Sequence, residues 1–145
     1  MLFNELQNNG AMPALERMVQ FTEARQRVLA HNVANLSTPS FQPRDLDPSG
    51  FQQTLGDALE KRRNGDATGQ RPLELDDTDQ IEFRPGGLAV KPEPTNQNLV
   101  FHDGNNRNLE RIMQDVAENV MAHQFGVTLL KNQFDNLRTA IRERL

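Results

Sequence analysis

Residues 109–141 read LERIMQDVAENVMAHQFGVTLLKNQFDNLRTAI. Within this stretch Leu109, Met113, Val116, Val120, His123, Val127, Leu130, Phe134, Leu137 and Ile141 follow one another at steps that alternate four and three. All but His123 are apolar. That spacing is the heptad seam of a helix packed lengthwise against other helices. His123 reads as a packing or register residue, the usual role of a polar group on such a seam. Asn108 suits an N-cap, and Glu110, Asp115 and Glu118 stand toward the N-terminal end. Lys131, Arg138, Arg142 and Arg144 stand toward the other end, so both charge groups complement the helix dipole. No Pro interrupts the run, and only Gly126 weakens it. Such a helix is about 50 Å long. A small globular domain cannot cover a rod of that length, so the helix needs a partner along it.

Working outward, the chain of 145 residues allows one domain at most. Hydrophobic residues make up 36%, aromatics 6%, and Trp and Tyr are absent. With a mean hydropathy of −0.70, this is thin material for a compact core, yet too patterned for full disorder. The net charge of −4 argues against nucleic-acid binding as the main task. No apolar run approaches the roughly 20 residues of a membrane span, and the N-terminus lacks the basic and apolar regions of a secretory signal. There is no Cys, hence no disulfide framework, thiolate metal site or Cys nucleophile. A chain exported through a narrow channel needs that absence, although many cytosolic proteins share it.

Residues 1–12 read as a flexible N-terminal segment, with an apolar patch of Leu2, Phe3 and Leu6 ahead of the Asn8-Asn9-Gly10 break. Residues 13–36 read as a second helix, opened by Pro13. One stripe runs through Leu15, Met18, Thr22, Leu29, Val33 and Leu36, diluted by Arg25 and Gln26; Ala14, Phe21 and Val28 mark a neighbouring face. A helix apolar on two sides touches two neighbours. With one other long helix in the chain, the further neighbours are expected from other chains. Residues 37–50 read as a helix stop and loop: Thr38 before Pro39 is biased away from helix, Asn35, Ser37 and Thr38 can bond freed backbone groups, and Phe41 is an anchoring aromatic.

Asp47 and Pro48 read as the cap and first turn of a short helix over 51–63, with Phe51, Leu55, Ala58 and Leu59 as its stripe. Lys61, Arg62 and Arg63 suit its C-terminal dipole, and Asn64-Gly65 ends it. Residues 64–107 are rich in Gly, Pro and Asp and read as an irregular, partly disordered middle, or an insertion lying on a neighbouring surface. Leu88-Ala89-Val90 and Leu99-Val100-Phe101 are β-prone and can pair as a hairpin. Residues 108–145 complete the chain as the coiled-coil helix.

Chemistry is sparse. His31, His102 and His123 are scattered, and His102-Asp103 is the nearest approach to a metal or acid–base fragment. Asp76, Asp77 and Asp79 lack the Gly and closing Glu of a calcium loop. No phosphate loop, nucleophile elbow or carboxylate pair is present. The residues point to no enzyme, catalytic site, cofactor or metal.

Two stretches together are more specific. Ala34-Asn35-Leu36-Ser37-Thr38-Pro39-Ser40-Phe41, running into Arg44-Asp45, resembles the Ala-Asn-x-x-Thr-Pro-Gly-Tyr/Phe signature of bacterial flagellar basal-body rod and hook proteins. Asp103-Gly104-Asn105-Asn106 before Glu110 is similar to the segment that opens their C-terminal helix. Ser40 departs from the usual Gly, which places a positive-φ turn in question. The resemblance covers about residues 12–50 and 100–143. It implies a mainly α fold in which long N- and C-terminal helices pair as an antiparallel coiled coil, with the short helix and an irregular, hairpin-containing middle between them. It implies a structural subunit of the proximal rod, located in the periplasm and exported through the flagellar type III gate without a cleavable signal. It would join the membrane ring and export apparatus to the distal rod. Implied partners are further copies, other rod proteins (FlgC- and FlgF-like), the adaptor FliE, the ring protein FliF and the export apparatus. Phe51 and Leu55 fit the Phe-x-x-x-aliphatic pattern that rod and hook substrates present to the gate; the same pair suits a buried i,i+4 contact. A FlgC-like rod protein remains an alternative, and so does a cytosolic coiled-coil adaptor, which explains the heptads but not the signature. A metal-binding or enzymatic domain built on His102 and Asp103 is the third.

Overall fold

The computed structural model describes residues 10–65, 71–95 and 104–143, the last from 104 to 108 in backbone alone. The described elements are α1 (Met12–Ala34), β1 (Arg44–Asp45), α2 (Pro48–Gly65), β2 (Ile81–Arg84), β3 (Gly87–Val90), β4 (Glu93–Pro94) and α3 (Gly104–Arg142). The molecule is mainly helical, and its two long helices touch. At 39 residues, α3 is about 58 Å long.

The helix α1 packs against α3 on one side and against α2 and the β2–β3 hairpin on another. Its Phe21 and Ala24 meet Leu46, Phe51 and Ile81 in one buried cluster, and Val28, Leu55, Phe83, Leu88 and Val90 pack around it. The rings of Phe21 and Phe51 stack with centroids 4.1 Å apart and planes 2° from parallel. So the second apolar face of α1 does not await another chain: α2 and the β2–β3 hairpin cover it. The sequence pattern counted helices only, and a short helix with a hairpin supplies the same apolar area.

The hairpin pairs Ile81 with Val90 and Phe83 with Leu88, so the partner of Leu88-Ala89-Val90 precedes it in the chain. The expected partner, Leu99-Val100-Phe101, lies outside the described residues, as do Leu2, Phe3 and Leu6. The tight turn at Pro85-Gly86, with Gly86 at φ +81°, explains the choice: adjacent strands joined by a turn of this kind lose little entropy on closing. Arg17 ties the hairpin to α1 by donating from Nη1 to the carbonyls of Arg84 (3.2 Å) and Gly87 (3.0 Å).

Asp47 caps α2 by accepting from the Ser49 N–H at 2.9 Å, with Pro48 in the first turn. The basic triplet at its far end does more than balance a dipole. Arg62 is buried and donates to the Gly10 carbonyl at 3.1 Å, and Lys61 pairs with Asp76 at 2.5 Å. Asn108 does not cap α3, because the helix already runs from Gly104.

Candidate assembly surface

The contacts between α1 and α3 run in opposite chain order. A Cβ on Gly126 would stand 3.2 Å from Val19 Cγ2. One turn on, Thr22 Oγ1 meets His123 Nδ1 at 2.9 Å. Asn119, 2% exposed, donates from Nδ2 to the Thr22 carbonyl (2.9 Å) and to Gln26 Oε1 (2.8 Å). Arg25 lies 3.9 Å from Asp115. The side of α3 turned to α1 thus includes Ile112, Asp115, Asn119, His123 and Gly126, with half-buried Val116 and Leu130 of the seam on or beside the same face. Gly126, a weak point for an isolated helix, lies directly against the Val19 and Met18 side chains of α1, where a Cβ would crowd them. Every buried polar atom among the described side chains has a partner, which is what makes such a polar contact tenable.

The heptad seam stands partly round the helix from that contact. Val116, His123, Leu130 and Leu137 are half-buried; Leu109, Met113, Val120, Val127, Phe134 and Ile141 are exposed. Two apolar residues outside the seam, Met121 and Phe125, are the most exposed of all at 62% and 60%. Of the ten large apolar side chains exposed among the described residues, eight lie on α3. Scattered exposed apolar residues are ordinary; eight on one helix form a surface that calls for a partner.

The signature loop folds back on the end of α1. Asn35 donates from Nδ2 to the His31 carbonyl at 2.9 Å, and the Phe41 ring meets His31 edge-on with centroids 5.7 Å apart. Ser40 holds φ +62°, so the left-handed turn persists without glycine. Buried Asn32 then clasps the next segment from both sides: its Nδ2 donates to the Arg44 carbonyl at 2.6 Å, and the Arg44 N–H donates to its Oδ1 at 3.1 Å. Asp45 receives two bonds from Arg25, Nε at 2.9 Å and Nη2 at 2.7 Å. Ala34, Thr38 and Pro39 are exposed on the outside of the loop. Leu46, which follows, is fully buried.

Electrostatics follow from this geometry. Burial alone would lower the Arg25 pKa, but the hydrogen bonds and charge of Asp45 outweigh it, with Asp115 and Glu118 adding to them, and the pKa is raised. Burial raises the pKa of Asp115, and Arg25, already engaged by Asp45, only partly offsets this. The seam spacing made α3 legible, but it did not single out Arg25, Asn32, Asp115 or Asn119. Arg25 and Gln26 had one signal, the polar interruption of an apolar stripe, and the structure turns that interruption into the contact with α3.

The cavity at this junction, lined by Leu29, Asn32, Asp45, Ile112 and Asp115 among others, measures about 80 Å³, well below the volume that small-molecule pockets occupy. Among the described residues no three His, Cys, Asp or Glu side chains are grouped to hold a metal. His102 and Asp103 lie outside the described residues. No described helix is long and apolar enough to cross a membrane.

No family model matches the chain. It is similar to the flagellar basal body rod protein FlgB of Proteus mirabilis, 30% identical over 127 residues that cover 82% of this chain and 84% of the relative. The chain belongs to the FlgB family of flagellar basal body rod proteins. The FlgB of Yersinia enterocolitica is 27% identical over 93% of this chain and 96% of its own. That of Bacillus subtilis is 24% identical over 92% and 94%. The similarity to FlgB thus runs through the middle of the chain, where the signature resemblance stopped.

Proposed function

We propose that this chain is a structural subunit of the proximal rod, whose α3 seam is an assembly surface. Its α1 and α3 pair antiparallel, as the reversed order of their contacts supports. The pair then packs as a coiled coil with neighbouring subunits. The rod so built joins the membrane ring and export apparatus to the distal rod and transmits torque. Its neighbours are further copies, FlgC- and FlgF-like rod proteins, the adaptor FliE and the ring protein FliF. The subunit reaches the periplasm through the flagellar export gate. The observation that carries this reading is the apolar surface of α3: of the ten large apolar side chains exposed among the described residues, eight lie on it. Fully burying an exposed apolar side chain is worth about 1.5–3 kcal/mol; these eight are 36–62% exposed, so a share of that is left for assembly to gain. In a strain lacking the native subunit, Val127→Asp should be secreted yet fail to restore rods or swimming. Normal swimming of that strain would remove the seam from assembly.

A further inference from the structure

Cys is absent, so the sulfur chemistry of this chain falls on methionine alone. Of the five methionines, Met1 lies outside the described residues. Two of the other four are shielded. Met12 is 2% exposed. Met18 is half-buried, with its Sδ at the contact between α1 and α3, 3.7 Å from where a Cβ on Gly126 would stand. Met113 and Met121, by contrast, are 51% and 62% exposed. Both lie on α3, about 120° and 160° around its axis from buried Asn119, hence away from α1. They stand among the exposed Val120, Phe125 and Val127. The shielded thioethers serve the packing of the subunit itself. The open ones belong to the apolar surface that it leaves bare.

We infer that Met113 and Met121 are oxidation sites through which peroxide keeps the free subunit out of the rod. This rests on the reading of α3 as an assembly surface and adds a chemical control over it. In the step, the thioether sulfur attacks one oxygen of the peroxide and the O–O bond breaks. The other oxygen takes up the proton of the first and leaves as water. The sulfur is oxidised to a sulfoxide and the peroxide is reduced. A flexible apolar side chain thereby becomes a polar one that accepts hydrogen bonds. On an exposed face this costs the folded subunit little, because water solvates the new group. In a contact with a neighbour the same group must give up that water, which penalises assembly. A thiol-dependent reductase returns the thioether, the thiols ending as a disulfide and the oxygen as water, so the control is reversible. A neighbour seated on α3 covers both sulfurs, so the reaction is open in the free subunit and closed in the rod.

Purified subunit and purified basal bodies, each treated with dilute hydrogen peroxide and mapped by peptide mass spectrometry, test the sites. In the free subunit Met113 and Met121 should each gain one oxygen before Met12 or Met18 does, with the thermal melt unchanged. In basal bodies both should stay unmodified. Met113→Gln with Met121→Gln fixes a polar group of similar length at both positions. In a strain lacking the native subunit this pair should be secreted, with the melt of the native chain, yet give no rods. Met113→Leu with Met121→Leu keeps the surface apolar. It should give rods, and should still give them at a peroxide dose that stops the native strain from building them. Oxidation of Met12 or Met18 ahead of the α3 pair, oxidation of that pair as fast in basal bodies as in the free subunit, normal rods from the Gln pair, or no rods from the Leu pair would each overturn the inference and leave the rod reading standing. Absence of the native subunit from basal bodies would overturn the rod reading and this inference with it.

Discussion

Ser40 sits in the left-handed region at φ +62°, which costs an L-residue roughly 1–2 kcal/mol. Ser40→Gly should relieve most of that strain, less the added freedom of the unfolded chain, and raise stability by about 0.5–1 kcal/mol in denaturant unfolding. Arg25 is 8% exposed and donates two bonds to Asp45. Asp45→Ala would leave that guanidinium buried beside Asp115 alone and should cost about 3 kcal/mol. Asp115 has the opposite sign. Its pKa is raised in the folded state by burial, so the folded protein binds its proton more tightly than the unfolded chain does. Its charge therefore weighs against folding above the ordinary carboxylate range, and that weight is lifted as pH falls through it. Asp115→Asn should then leave the neutral-pH Tm unchanged or raised, with any gain fading toward acid; thermal melts at several pH values check this. The turn at Ser40 was flagged by the Gly that the resemblance places there; the roles of Arg25, Asp45 and Asp115 were not legible in the sequence. A buried ion pair between residues 25 and 45 depends on where the loop returns, and local patterning is silent on that.

The short helix α2 was legible from its cap, stripe and stop, yet its place was not. Nothing in its sequence says that Phe51 lies flat on Phe21. Phe51→Ala should cost about 3–5 kcal/mol in the isolated subunit. The same residue, with half-buried Leu55, is the candidate gate motif. Both lie against the core of the folded subunit, so any reading of the motif belongs to the unfolded chain. Phe51→Ala with Leu55→Ala, in a strain unable to build the rod, separates the two roles. Reduced secreted subunit is the result expected of a gate motif, and undiminished secretion would make the pair structural only. The seam shows the same division between existence and placement. Leu46 is fully buried, and Leu46→Ala should cost the subunit about 2–5 kcal/mol. Exposed Val127→Ala should cost it within about 0.5 kcal/mol, its effect appearing in the rod.

At the scale of the molecule, the heptad pattern named the right helix, because a period of 3.5 residues is a local property. It could not say which part of the seam the chain covers itself. That depends on α1 approaching through Gly126 and Asn119, which a search for apolar periodicity passes over, and through His123, which it reads only as a polar position on the seam. The second face of α1 was misjudged for a related reason: its cover comes from a helix and a hairpin that are adjacent to it only in space. The resulting subunit has a small core around Phe21 and Phe51 and an α3 whose apolar side is bare, so ordering the far part of α3 gains little burial against its entropy cost. Amide hydrogen exchange along residues 127–142, compared between dilute subunit and purified rods, tests this most directly. The account predicts fast exchange there in the free subunit, slower exchange around Phe21 and Phe51, and strong protection of 127–142 in the rod. Equal protection of 127–142 in both states would mean that α3 is complete without its neighbours, and would contradict it.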